Sequence, residues 1–215
     1  MPRLPFISLD GLDGTGKSTQ CRLLADWLRT SGHAVTTCID PGGTPLGGQL
    51  RSLVLHYRPD IERMCEALLF MASRAQLVGE IIRPALESGQ IVISDRFLLA
   101  NVVYQGHAGG LDVERLWEVG RFATGGLEPD LTLVLDLPLE LAASRRGHPA
   151  DRIESRDADY HARLRRGFLT EARRCPERIR IVDAAPPLGA VQEAIRREVA
   201  SVLRQNPASP QRQQG

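Results

Sequence analysis

From its N-terminus the chain alternates short apolar runs with longer stretches in which apolar residues recur every three or four positions. Phe6-Ile7-Ser8-Leu9-Asp10 reads as a short buried strand ending at Gly11. Within Lys17 to Thr30, Leu23, Leu24, Trp27 and Leu28 keep helical spacing, and Gly32 closes the segment. Ala34 to Ile39 is a second strand, followed by the turn-rich Asp40 to Pro45 and a helix over Leu46 to His56. Asp60 opens a longer helix running toward Glu87, with Gly89 as its stop. Ile91 to Ser94 is an unbroken apolar run of the kind found in buried parallel strands. Then come a helix over Leu111 to Ala123, a strand over Leu131 to Leu135 and an unpatterned loop over Arg145 to Ala150. A helix over Asp157 to Arg174, a strand over Ile179 to Val182 and a helix over Leu188 to Leu203 complete the pattern. The polar, proline-containing stretch Gln205 to Gly215 is expected to be a disordered tail.

Strands separated by helices predict right-handed βαβ crossovers. The expected fold is α/β with three layers, a five-stranded parallel sheet flanked by helices, in a single domain over residues 1–204. Composition agrees with a packed core: 42% of residues are apolar and 25% charged, which excludes a disordered chain, a collagen-like repeat or a disulfide miniprotein. The net charge of +1 gives no global field toward nucleic acid or an anionic membrane, so neither is expected as a partner. The four cysteines form no C-x-x-C pair and the five histidines no H-x-x-x-H pair, which argues for reduced thiols and against structural zinc. The N-terminus lacks a signal-peptide pattern and no apolar run approaches the ~20 residues of a membrane helix, so a soluble cytoplasmic protein is expected. The charge composition holds one informative exception. Lys17 is the sole lysine, and the other basic residues among the 27 are arginines.

That lysine sits in Gly11-Leu12-Asp13-Gly14-Thr15-Gly16-Lys17-Ser18-Thr19, which fits G-x-x-x-x-G-K-[ST] between a strand and a helix. Its glycines let successive backbone N–H groups turn inward on phosphate oxygens, and the following helix adds its positive end. Lys17 supplies a mobile charge for the β- and γ-phosphates, and Ser18 a hydroxyl for Mg²⁺. Asp95, at the end of the third strand, is placed to hold water on that ion, with Arg96 over the same crevice. A GTPase switch is disfavoured, since with Lys17 as the sole lysine no N-K-x-D motif can exist. Asp40-Pro41-Gly42-Gly43-Thr44 lies at the same sheet edge, where it can approach a ligand or simply form a tight surface turn. Phe70 and Arg74 share one helix face, a spacing that also suits a core aromatic and a solvated arginine.

The combination resembles the thymidylate kinase family. The resemblance rests on Gly11 to Thr19, Asp40 to Thr44, Leu50-Arg51-Ser52-Leu53, Phe70 to Gln76, Asp95-Arg96-Phe97, Tyr104-Gln105-Gly106, Pro129 to Thr132 and Asp151-Arg152-Ile153-Glu154. It implies a P-loop NTPase-type fold and transfer of the ATP γ-phosphoryl group to dTMP in dTTP synthesis, by a homodimer using Mg²⁺. By resemblance, Gly11, Asp13, Gly14, Thr15, Gly16, Lys17, Ser18 and Thr19 hold ATP, Arg145 lies along the adenine, and Ser18 and Asp95 serve the metal. Arg51 and Arg96 grip the dTMP phosphate, Phe70 stacks on thymine and Arg74 donates to a thymine carbonyl. Asp40, Asn101 and Gln105 line the acceptor site, Tyr104 crowds the ribose 2′ position, and Asp13 reaches the 3′-hydroxyl. With Gly14 in the P-loop, an arginine for the transferring group must come from the lid, about residues 143–155, where Arg146 or Arg152 is the candidate; solvated loop arginines are the alternative. Lys17, Arg96, Asp95, Arg146 and Arg152 are thus the expected catalytic set. The chain departs from the family in having Asp40 for Glu, Phe97 for Tyr or His, Ala100 for Ser, Asn101 for Ser or Thr, and a short lid. Alternatives are a related P-loop kinase for another nucleotide or nucleoside, and a nucleotide-signalling protein that transfers nothing.

Overall fold

The computed structural model describes residues 3–57, 60–145, 152–153 and 156–205. Five strands, β1 (Phe6–Gly11), β2 (Val35–Ile39), β3 (Ile91–Asp95), β4 (Leu131–Asp136) and β5 (Ile179–Asp183), form one parallel sheet in the order β2-β3-β1-β4-β5. The P-loop strand therefore lies at the centre. Leu9 and Ile39 both pair with Asp95, and Gly11 pairs with Leu135, which brings the carboxyl ends of β1, β2 and β3 to one edge. In open α/β sheets that edge is where ligands bind.

Alternation of side chains along β1 decides what each sheet face holds. Ile7 and Leu9 join α1 (Lys17–Thr30) and α9 (Leu188–Gln205) in one core, with Leu24, Leu28, Ile195 and Val199 fully buried. The opposite face is covered by α3 (Arg63–Leu77), α4 (Arg83–Glu87), α5 (Leu98–Asn101) and α8 (Ala158–Arg174) in two further clusters. The short α2 (Pro45–His56) begins with Thr44, whose hydroxyl accepts from Gly47 N at 2.9 Å, a side-chain cap at the end of the Asp40–Thr44 turn. The remaining helices are α6 (Val113–Ala123) and α7 (Leu139–Ser144).

The expected strands and amphipathic helices are present within a few residues, and three features differ. The long helix expected from Asp60 to Glu87 starts at Arg63 and is interrupted by a π-helical turn, Val78–Ile82, just before Pro84, which has no N–H for a regular helical bond. Leu98–Asn101 continues into a second π-helical turn, Val102–Ala108, which the sequence pattern did not assign. Leu98 to Gly106 is buried on every side, so the segment lacks the polar face that gives a helix its periodic signature. The third is α7, too short for a periodic pattern. The expected tail lies outside the described residues from position 206, since α9 runs through Gln205.

Candidate active site

Between β1 and α1 the loop turns on glycines with left-handed backbones, Gly14 at φ 86° and Gly16 at φ 89°. A Cβ on Gly14 would fall 2.1 Å from the Ala142 carbonyl oxygen of α7. An arginine at this loop position is therefore blocked by backbone as well as by φ. Thr15 Oγ1 donates to Leu12 O at 2.8 Å and ties the loop to itself. Lys17 is buried at 6% exposure; its Nζ donates to Leu12 O at 2.7 Å and lies 3.6 Å from Asp13. Burial and the nearby Arg96 push the Lys17 ammonium below its ordinary pKa, with Asp13 and Asp95 pulling the other way.

Ser18, in the first turn of α1, donates from Oγ to Asp95 Oδ2 at 2.5 Å. A hydroxyl and a carboxylate are hard oxygen donors, and this pair beside the phosphate loop suits Mg²⁺. Arg96 adopts φ 69°, the one non-glycine positive φ among the described residues. That backbone aims its guanidinium back across β1: it donates to Gly11 O at 2.9 Å, to Asp13, and to the Tyr104 hydroxyl at 3.2 Å, and stacks 5.1 Å over the Tyr104 ring. Tyr104 in turn donates to Asp13 Oδ2 at 3.1 Å. Burial alone would raise the Asp13 carboxyl, yet Arg96 and Lys17 together hold it well below the usual carboxylate range. Asp13 is thus an ionised acceptor fixed between the loop and β3.

A second group sits beside this triangle. Arg74, among the largest fully buried side chains, donates from Nε to Asp40 at 2.5 Å and from Nη1 to Asn101 Oδ1 at 2.9 Å. Its guanidinium lies 5.6 Å from the centre of the Phe97 ring, which itself meets Phe6 edge-on at 4.9 Å. Phe97 is therefore apolar because it packs as a floor under Arg74. Asp40, expected at the acceptor site, holds Arg74 through Oδ2, while its Oδ1 has no hydrogen-bond partner. Arg51 donates to Pro41 O at 2.9 Å from the neighbouring helix.

Most of these groups open onto one cavity of about 510 Å³. Its walls include Asp13, Gly14, Gly16, Lys17, Ser18 and Thr19 of the loop, Asp40 and Arg51, Phe70 and Arg74, Asp95 and Arg96, Asn101, Tyr104, Gln105 and Arg145. Gly11 and Thr15 shape the loop from outside that lining. Arg145 donates to the carbonyls of Ala184 and Ala185 at 2.8 and 3.2 Å. Arg152 is not part of the cavity wall: it donates to Val54 O at 3.0 Å and to Glu66. Arg146 and most of the expected lid lie outside the described residues.

Two buried acids were not expected as site residues. Glu66, 2% exposed, accepts from Gln105, Arg152 and Arg156. The sequence signal for it was a charge four residues before Phe70, on the face that α3 buries. Asp10 is fully buried at the end of β1; its Oδ1 has no hydrogen-bond partner and burial pushes its pKa up to about 7 against the pull of Arg96 and Lys17. With the folded value raised above an unfolded value of about 4, Asp10 supports the fold below pH 4, and that support is lost as pH rises toward 7. Asp10→Asn should therefore flatten the fall in stability between pH 5 and pH 8, by on the order of 3 kcal/mol, in chemical denaturation at a series of pH values. An unchanged pH slope would mean that Asp10 is ionised in the fold throughout.

A glycine-rich loop between a central parallel strand and a helix, facing an acid at the end of the adjacent strand, defines a P-loop nucleotide-binding protein of the α/β class. Comparison with known proteins narrows the class. The family model for thymidylate kinase matches residues 9–195. The thymidylate kinase of Rhodopirellula baltica is 48% identical over 190 residues, 88% of this chain and 78% of that protein. That of Symbiobacterium thermophilum is 48% identical over 92% of this chain and 94% of its own length. The crystal structure of thymidylate kinase from Ehrlichia chaffeensis superposes with a TM-score of 0.76 at 27% identity, covering 92% of this chain and 99% of that one. The chain belongs to the thymidylate kinase family.

Proposed function

We propose that the protein is an ATP-dependent kinase that transfers the γ-phosphoryl group of ATP to dTMP, giving ADP and dTDP. The observation that carries this reading is the continuity of one cavity from the P-loop and Lys17 to Phe70, Arg74 and Asn101. A phosphate donor and a nucleoside monophosphate acceptor can thus meet within it. In the transfer an oxygen of the dTMP phosphate bonds to the γ-phosphorus as the bond to the ADP oxygen breaks, and no covalent enzyme intermediate forms.

The loop amides and Lys17 would cradle the ATP phosphates, and Arg145 would lie on the adenine side. Arg51 and Arg96 would hold the acceptor phosphate still, while Asp13 takes the sugar hydroxyl and Tyr104 stands against the ribose. Phe70, Arg74, Asn101 and Gln105 would receive the base. Ser18 and, through water, Asp95 would hold Mg²⁺, which when bound neutralises charge on the phosphate oxygens. Arg146 and Arg152 are our candidates for the transferring phosphoryl group; Arg152 must first leave Glu66 and the Val54 carbonyl to serve there.

We further propose one kinase domain over residues 1–204, acting as a homodimer in the cytoplasm. The helices α2, α3 and α6 each carry a pair of exposed apolar residues at helical spacing: Leu46 with Leu53, Met64 with Leu68, and Val119 with Phe122, the last 88% exposed. Such surface favours association with a second copy. Among the described residues no helix is long and apolar enough to cross a membrane, and all four cysteines are free thiols.

Turnover in a coupled ADP-release assay should be faster with dTMP than with dUMP, dCMP or UMP. Equal or faster turnover with another monophosphate would overturn the substrate assignment.

A further inference from the structure

The base end of the cavity is backed by an unbroken relay of buried hydrogen bonds. Asn101 Nδ2 donates to Gln105 Oε1 at 2.8 Å, and Gln105 Nε2 donates to Glu66 Oε1 at 2.9 Å. At the other end Asn101 Oδ1 accepts from Arg74 Nη1 at 2.9 Å. Arg74, Asn101, Gln105 and Glu66 are each 2% exposed, so no solvent competes with these bonds.

Two amides in such a relay can each be turned either way, and chemistry at the ends decides which way they point. Glu66 faces the guanidiniums of Arg152 and Arg156, the latter at 3.1 Å, and its carboxylate can only accept. Gln105 must therefore present its NH₂ to Glu66 and its carbonyl to Asn101. Asn101 must then give its NH₂ to Gln105, which leaves its carbonyl toward Arg74, a group that can only donate. Acceptor-only and donor-only ends thus fix one polarity throughout.

We propose that Glu66, which does not line the cavity, is a positioning residue that sets base selectivity by fixing this polarity. The inference rests on the reading that the base sits against Arg74 and Asn101. The cavity then offers a donor from Arg74 beside an acceptor from Asn101, whose oxygen keeps a second lone pair. That pairing matches a ring carbonyl next to a ring N–H, the edge of thymine or uracil. Cytosine presents an amino group and a bare ring nitrogen instead, so donor meets donor and acceptor meets acceptor.

Glu66→Gln removes the acceptor-only end. With two guanidiniums on one side, the new amide turns its oxygen to them and its NH₂ to Gln105, driving the relay toward the opposite polarity. The kcat/KM ratio of dTMP to dCMP should fall about 10- to 100-fold, mainly through a higher KM for dTMP. Gln105→Met, which cuts the relay but leaves Glu66 with its arginines, should lower the ratio in the same direction. Arg152→Gln should lower turnover on both substrates alike, leaving their ratio within about twofold of wild type. A ratio kept by Glu66→Gln, or by Gln105→Met where the first variant fails to fold, overturns the proposal. An equal loss of ratio in Arg152→Gln would also overturn it, by placing the effect on the arginine. A wild-type enzyme with no preference for dTMP over dCMP would instead overturn the placement of the base.

Discussion

A Lys17→Arg variant is expected to fold and to lose about 10³-fold in kcat, the scale of losing one preorganised donor to a developing transition state. The substitution preserves charge, so any loss must come from shape. Lys17 lies in the first turn of α1 at 6% exposure, with Nζ 2.7 Å from the Leu12 carbonyl and 3.6 Å from Asp13. A compact ammonium on a flexible stem can leave the carbonyl and follow a phosphate as it moves. A planar guanidinium has its donors in a rigid fork and needs more room than a loop folded on itself provides. Steady-state turnover with thermal melting of the same preparation makes the check. Near wild-type kcat in a folded Lys17→Arg enzyme would show that charge alone suffices at this position.

Asp40→Ala is expected to destabilise the fold by about 3–5 kcal/mol, the cost of leaving a buried charge unpaired. For a chain of this length that corresponds to a fall in Tm of about 6–20 °C. Arg74 is 2% exposed and Asp40 is 1% exposed, so water cannot replace the lost carboxylate. Burial alone raises the Asp40 carboxyl above its ordinary range, and Arg74 opposes that shift. The contact at 2.5 Å between the two is what makes both tolerable in the interior. A double variant, Asp40→Ala with Arg74→Leu, should recover part of the lost stability by removing the orphaned charge, while abolishing base recognition. Additive losses in that cycle would show that the two residues are not coupled.

Much of this site was legible along the chain because local chemistry repeats there in fixed spacing. The loop from Gly11 to Thr19 announces itself through glycines at turning positions and a single lysine before a helical run. Asp95-Arg96 and Asp40 to Thr44 could be placed at the same sheet edge, since each follows an apolar strand run. The resemblance carried Tyr104, Asn101 and Gln105 to the site although no periodicity marked the segment that bears them. That segment is buried on all sides, and a helix without a polar face has no pattern to detect.

Other features are properties of pairs far apart in sequence, and no local pattern contains them. Glu66 and Arg152 are 86 residues apart, and Asp13 and Tyr104 are 91. Asp40 is legible as an acceptor-site residue, but its bond to Arg74, 34 residues away, is not. The left-handed backbone of Arg96 has no residue-type signal, and the groups it turns the guanidinium toward, Gly11 at the end of β1 and Asp13 in the phosphate loop, are more than 80 residues away.

The sequence by itself determined most of the strand and helix pattern and the phosphate loop, because these follow from side-chain periodicity and from glycines at defined backbone positions, while the kinase family came from the resemblance of its motifs. Only the tertiary structure decided which charged side chains face the cavity and which hold one another beneath it. Burial removes the competition of water, so the partner of each polar group is set by what the packed elements bring within about 3 Å. For Arg152 and Glu66 that distance, and not residue type, separates a group that lines the cavity from one that holds its neighbours in place.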